Sequence, residues 1–253
     1  MLRTRVIPCL LLHDEALVKT VKFNKFNYIG DPANTVRIFN ELEVDELAFL
    51  DILASKENQP IKFDALVDIA NEAFMPLAYG GGVRTFEDAK RIFSIGFEKV
   101  IINSHAVEDT GLIEELASHF GSQSIIGSID IKKNFFGKYE VFTHGGTKST
   151  GLDPIDWVKE LEKRGVGELL VTAIDKEGSW DGYDIKLMNE IVKAVSVPVI
   201  ANGGAGNVDH IGDVVSQTKV SAVAVGSMVV YQKKDYGVLV NFPDRDELEK
   251  RLN

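Results

Sequence analysis

The chain contains one short unit twice. Pro76-Leu77-Ala78-Tyr79-Gly80-Gly81-Gly82-Val83 and Pro198-Val199-Ile200-Ala201-Asn202-Gly203-Gly204-Ala205-Gly206 are apolar runs ending in glycine-rich turns. Each leads into a helical pattern, Phe86–Ile95 in one copy and Val208–Val215 in the other. A second apolar strand follows each helix and ends in a small polar pair, Asn103-Ser104 or Gly226-Ser227. Aligning Gly80 with Gly203 brings Ser104 onto Ser227. A duplicated strand–turn–helix–strand unit restricts the fold to architectures with two equivalent halves. Glycine turns before helices also let backbone N–H groups approach an anion, and the helix N-terminus favours negative charge. Two such turns imply a ligand with a phosphate at each end.

The repeat reaches the earlier strands of each half. Val6-Ile7-Pro8-Cys9-Leu10-Leu11-Leu12 parallels Ile125-Ile126-Gly127-Ser128-Ile129-Asp130, and Glu46-Leu47-Ala48-Phe49-Leu50-Asp51 parallels Glu168-Leu169-Leu170-Val171-Thr172-Ala173. Near-continuous apolar runs predict strands covered on both faces at Val6–Leu12, Glu46–Asp51, Pro76–Tyr79, Lys99–Ile102, Ser124–Asp130, Glu168–Thr172, Pro198–Asn202 and Ala222–Val225. Helical patterns separate them, beginning with Pro32–Glu43, where Asp31 is an N-cap with proline next to it. Thr85 caps the helix Phe86–Ile95. Strict alternation over 253 residues predicts a single (β/α)8 TIM barrel made of two half-barrels. The segments after strands one and five, about 12–31 and 131–152, read as long loops that cover an active site.

Charge and cysteine usage exclude several classes. A net charge of −10 argues against nucleic acid or an anionic membrane as the main partner, although a local site can still bind an anion. The seven-residue apolar run Val6–Leu12 is too short for a signal peptide or a membrane span. One cysteine, Cys9, sits in that run and reads as a buried structural thiol, consistent with a reducing cytoplasm. No metal-ligand spacing stands out among the histidines, and no cofactor is called for.

In a barrel of this kind reactive groups sit at the C-terminal strand ends. Asp51, Asn103, Asp130 and Thr172 end strands two, four, five and six, and Asp175 follows strand six. An aspartate held against apolar walls has its pKa raised by desolvation and can act as general acid or base. Asp130 is the strongest candidate; Asp51 and Asp175 read equally well as loop organisers. Lys19, after strand one, is a candidate anion contact. At the opposite end, Arg5, Glu46, Lys99 and Glu168 stand at or just before strand starts; two cations with two anions can close a charge-balanced ring, although composition alone favours ordinary strand-end salt bridges.

These residues resemble the HisF family, the cyclase subunits of imidazole glycerol phosphate synthase. The resemblance spans nearly the whole chain and includes Phe49-Leu50-Asp51-Ile52, Gly80-Gly81-Gly82-Val83-Arg84, Phe120-Gly121-Ser122-Gln123, Thr150-Gly151-Leu152, Asp181-Gly182-Tyr183-Asp184 and Gly203-Gly204-Ala205-Gly206. It implies a barrel that takes ammonia from a glutaminase subunit docked on its N-terminal face. The ammonia reaches a phosphorylated small-molecule substrate at the C-terminal face, where it drives cleavage and ring closure. By this resemblance the ammonia gate falls on Arg5, Glu46, Lys99 and Glu168. Gln123 falls on the glutaminase side. The phosphate sites fall on Gly81, Gly82 and Ser104 and on Gly203, Gly204, Gly226 and Ser227. The substrate-contacting lysine is Lys19, and the strand-five catalytic aspartate is Asp130.

One family position departs. Where the family has Cys-Leu-Asp-Val at the end of strand one, this chain has Cys9-Leu10-Leu11-Leu12. Leu11 cannot transfer a proton, and losing one member of an acid–base pair costs a factor of roughly 10² to 10⁴ in rate. Lys176-Glu177 also stands where an Arg-Asp pair is usual, and Tyr79 and Asn202 stand where smaller residues are usual. The start Arg5–Leu12 and the segment Val238–Arg245 resemble a branch of the family associated with surface polysaccharides. That branch works with a glutaminase and a separate sugar amidotransferase, turning an acetamido group into an acetamidino group. Three other readings stay open: a working cyclase with a relocated acid–base group, a barrel that only activates a glutaminase, and the sibling isomerase of histidine biosynthesis, which shares the barrel and two phosphate sites but does not need the gate ring.

Overall fold

A computed structural model describes residues 4–109 and 111–252. The first half runs β1 (Arg5–His13), β2 (Ala16–Val21), β3 (Asn24–Gly30), α1 (Pro32–Glu41), β4 (Leu47–Asp51), α2 (Phe63–Glu72), β5 (Leu77–Gly80), α3 (Phe86–Ile95), β6 (Lys99–Ile102), α4 (Ser104–Glu108) and α5 (Gly111–Phe120). After a 3-10 turn at Ser122–Ser124, the second half runs β7 (Ile125–Lys133), β8 (Tyr139–Thr143), β9 (Lys148–Ser149), α6 (Pro154–Lys163), β10 (Glu168–Ala173), α7 (Ile185–Ala194), β11 (Val199–Asn202), α8 (Val208–Thr218), β12 (Ala222–Val225), α9 (Ser227–Val230) and α10 (Arg245–Leu252). Eight strands pair in parallel around a closed circuit, β1–β4–β5–β6–β7–β10–β11–β12 and back to β1. The (β/α)8 barrel expected from the alternation is the observed fold.

Local chemistry starts the helices where the pattern puts them. The Asp31 carboxylate accepts the Asn34 N–H with Pro32 in the first turn. Thr85 and Asp88 form a reciprocal capping box. Period-two alternation along the strands then splits the core in two. Ile7, Ala48, Ala78, Ile101, Ile126 and Leu170 point into the barrel. Val36, Phe39, Phe49, Ile92 and Leu116 fill the space between barrel and helices. Tyr79 belongs to that outer layer, only 1% exposed and edge-on to Phe97. Its bulk is therefore kept out of the barrel interior. Among the described residues, no helix is long and apolar enough to cross a membrane.

Three expectations need correction. The segments after strands one and five are not plain loops. The pair β2–β3 adds antiparallel to β1, with Leu11 opposite Val18, and β8 adds antiparallel to β7, with Asp130 opposite Phe142. Second, Ser104 and Ser227 do not merely end strands; each opens a short helix, α4 or α9. Third, the repeat aligns one residue differently. The positive-φ glycines are Gly81 (128°) and Gly82 (69°) in one half and Gly203 (97°) and Gly204 (113°) in the other. Register agrees, since Gly80 lies beside Leu50 and Asn202 beside Thr172. Gly81, not Gly80, is the counterpart of Gly203, and the second half carries one more residue before its serine.

Candidate active site

A cavity of about 680 Å³ opens at the C-terminal end of the barrel. Strand ends build its floor and walls: Cys9 and Leu11 from β1, Leu50 and Asp51 from β4, Ser128 and Asp130 from β7, and Thr172 from β10. The β2–β3 hairpin folds across the mouth and contributes Lys19, Thr20, Phe23 and Phe26. Cys9 is fully enclosed, and burial pushes its thiol up to about 12, so it is an unreactive floor residue.

Asp130 is the centre of the polar side. It is 8% exposed, and burial pushes its carboxyl up to about 7. Hydrogen bonds from the Asn103 and Thr172 side chains oppose that rise, and the nearby Glu177 charge adds to it. Asn103 Nδ2 donates to Asp130 Oδ2 at 2.8 Å, and Asn202 Nδ2 donates to Thr172 Oγ1 at 3.1 Å. The network fixes the carboxylate while leaving it able to exchange a proton near neutral pH.

The facing side differs. Leu11 is 8% exposed and lies in register with Leu50, so the cavity wall there is apolar. The next acid along that loop, Asp14, points elsewhere: its carboxylate accepts from Lys62 at 2.8 Å and lies 3.2 Å from His13. Among the described residues, no carboxylate on strand one faces the cavity beside Leu50.

The remaining expected residues divide. Gly81, Gly82, Asn103, Ser104 and Gly226 line the cavity together with Lys19 and Asp51. The Asp51 carboxylate accepts the N–H groups of Leu53 and Ala54, both at 3.1 Å, and so organises its own loop. Burial still pushes it above the ordinary carboxylate range. Lys19 reaches the cavity, but its ammonium is held by Glu177 and by the Thr20 carbonyl at 2.9 Å. Asp175, Gly203, Gly204 and Ser227 lie outside the cavity lining. Asp175 accepts the Lys133 N–H, and Gly204 packs against the Gly182 carbonyl.

At the N-terminal end, four side chains close a ring. Arg5 Nη1 meets Glu46 Oε2 at 2.5 Å, and Arg5 Nη2 bonds Glu168 Oε1. Lys99 Nζ bridges Glu46 Oε1 at 3.0 Å and Glu168 Oε2 at 3.1 Å. Both glutamates are buried, so each needs both cations. Burial disfavours the Arg5 charge, yet Glu168 and Glu46 outweigh that and hold the guanidinium above its ordinary pKa. Inward residues including Ile7, Ala78, Ile126, Leu170, Ala222 and Ala224 separate this ring from the cavity.

A histidine biosynthesis protein family profile matches residues 5–235. A provisionally named imidazole glycerol phosphate synthase subunit, hisF2, of Pseudomonas aeruginosa is 49% identical over 98% of this chain and 99% of its own length. A provisionally named subunit of the same synthase, hisF3, of Vibrio vulnificus is 44% identical over 100% of this chain and 97% of its own. Imidazole glycerol phosphate synthase subunit HisF of a Nostoc species is 38% identical over 100% of this chain and 98% of its own. The chain belongs to the HisF family.

Within this HisF-type barrel, sequence reasoning missed many contributors to the cavity, among them Glu177, Asn202 and Ser128. Glu177 was visible only as a departure from Arg-Asp; its partner lies 158 residues away. Asn202 was singled out, but its bond to Thr172 needs the β10–β11 register. Ser128 carries no signal beyond its place two residues before Asp130 on the same strand face.

Proposed function

We propose that this barrel is the ammonia-using subunit of a glutamine-dependent synthase. Ammonia released by a glutaminase on the N-terminal face enters at the ring of Arg5, Glu46, Lys99 and Glu168 and reaches the cavity beside Asp130. The observation that carries the reading is the closed ion-pair ring at one barrel end and a buried carboxyl near 7 at the other. Lys99 bridges both glutamates, so its movement opens the ring. The apolar layer above favours uncharged ammonia over ammonium, because an unpaired ion is costly to desolvate. Phe74, 89% exposed just before β5, and Gln123, just before β7, lie on the face where the glutaminase docks.

Gly81, Gly82 and Ser104 hold a phosphate of the bound small molecule, and Asp130 moves the proton. With Leu11 opposite, acid–base chemistry from both sides is lost. The barrel then serves delivery of nitrogen to a separate sugar amidotransferase that amidinates a bacterial surface sugar. The numbered names hisF2 and hisF3 of two relatives fit a version distinct from the histidine enzyme. The second reading is the cyclase of histidine biosynthesis itself, favoured by the full-length match to a protein named imidazole glycerol phosphate synthase subunit HisF.

The conduit is tested in the assembled glutaminase–barrel complex with Lys99→Ala. Glutamine hydrolysis continues, and the share of ammonia escaping into solvent rises. Unchanged coupling contradicts the conduit.

A further inference from the structure

The C-terminal face carries an unusual surface. Three segments project from it: 22–28 on the β2–β3 hairpin, 132–138 at the β7–β8 tip, and 233–239 after α9. The first lies over the mouth, where the Phe23 N–H donates to Glu177 at 3.2 Å. The third is tied to the same face by Lys234 Nζ, 2.9 Å from the Ser179 carbonyl in the loop after β10. Together they hold seven lysines against one aspartate, on a chain of net charge −10. All seven lysines are exposed. So are Phe26, Tyr28, Tyr236 and Leu239.

The apex is Phe135 and Phe136, 97% and 90% exposed. Their rings meet edge-on at 5.6 Å and are otherwise left to water. Lys132, Lys133 and Lys138 frame them, and no acid lies between Lys132 and Tyr139. An exposed aromatic pair at a tip has no use in the monomer's core. Aromatic residues are enriched at protein interfaces, and a rim of one charge sign steers a partner of the opposite sign.

Resting on the ammonia-delivery reading above, we propose that this face docks the nitrogen-accepting enzyme. Phe135 and Phe136 enter an apolar pocket on that partner, and carboxylates rimming the pocket meet Lys132 and Lys138, while Lys133 Nζ lies 3.8 Å from Asp184 Oδ2 of this chain. Charge complementarity selects a protein over a membrane or a nucleic acid. The strongly acidic remainder of the chain is repelled by an extended anionic surface, whereas a partner shaped to the tip meets only the basic segments. The position also follows from the chemistry: ammonia leaving the mouth is lost to water unless the acceptor covers it.

The test places the photo-crosslinking residue p-benzoylphenylalanine at Phe136 of the full chain, in cells that also make the glutaminase. Adducts are identified by mass spectrometry. The expected adduct is a sugar-amidinating enzyme with an acidic surface patch. Its yield falls about tenfold or more in Lys132→Glu/Lys138→Glu, and likewise in Phe135→Ser alone. Those variants leave glutamine hydrolysis unchanged, which separates docking from folding. No adduct, an adduct with the glutaminase or a second copy of this chain, or binding to vesicles of phosphatidylcholine and phosphatidylglycerol instead overturns the proposal. Failure of the Lys99→Ala experiment alone removes the conduit while the adduct is still formed.

Discussion

The two half-barrels share a backbone and differ at the mouth. On corresponding strands the first half presents Leu11, Leu50 and Gly80, and the second presents Asp130, Thr172 and Asn202. All six line one cavity. Leu11 and Asp130 therefore stand at equivalent positions of the two halves, and only the second is a carboxylate. The ring at the other end shows a related asymmetry. Glu46 and Glu168 are repeat-related, but the cations that join them, Arg5 and Lys99, have Ser124 and Ala222 at the corresponding places. The halves match along the strands and differ at the mouth, where one side carries a carboxylate, and at the ring, where one half supplies both cations.

The sharpest way to break the comparison is Asp130→Asn. Proton transfer at the mouth falls by roughly 10² to 10⁴ if the second half carries it alone. Steady-state turnover with ammonium salt in the presence of the nitrogen-accepting enzyme checks this, and a small effect moves the chemistry elsewhere. Next in size is the tie between the halves. Lys19 sits on the first half's hairpin and Glu177 on the second half's loop. Removing one partner of a buried pair costs about 3–5 kcal/mol, whereas replacing both with apolar residues is close to neutral. Denaturant unfolding of Lys19→Met, Glu177→Leu and the double variant checks this; an unstable double variant contradicts it.

A third prediction concerns pH. The Asp130 pKa is raised from 3.8 to about 7 in the fold, so its protonated form favours the native state. That contribution is complete below about pH 4 and is lost as pH rises towards about 7. The stability of wild type relative to Asp130→Asn should therefore fall across that window and level off above it. Equal pH profiles for the two proteins exclude the raised pKa. The smallest effect is Asn103→Leu. It removes a hydrogen bond to a charged group, worth about 1.5–3 kcal/mol when the carboxyl is ionised. The inflection in the pH–rate profile should move further upward; an unmoved inflection means that Asn103 does not set it.

Much of the barrel was legible because periodicity and caps agree. Lys99–Ile102, Phe86–Ile95 and Ala222–Val225 are found at the expected bounds, and others shift by a few residues. Arg5, Glu46, Lys99 and Glu168 were visible as strand-start charges, and they meet. The mouth was harder to read. The hairpins have signals: alternation in Ala16–Val21, and an Asn134-Phe135-Phe136-Gly137 turn between Ile131-Lys132-Lys133 and Tyr139-Glu140-Val141. Reading both as functional loops hid that pattern. Lys19 was read as an anion contact because a lysine's partner across 158 residues has no local signature. Tyr79 stood out as too large, but strand alternation turns it towards the helices. The one-residue offset between the halves shows only in the φ angles of the glycines and in the strand register.

The most direct measurement is ammonia-dependent formation of imidazole glycerol phosphate from the ribulosyl-formimino substrate, with the native chain and Leu11→Asp assayed side by side. The account predicts no measurable turnover by the native chain despite substrate binding, and turnover regained when a carboxylate faces Asp130 again. Efficient turnover by the native chain contradicts it, and would mean that the one-sided mouth suffices for the full cyclase reaction.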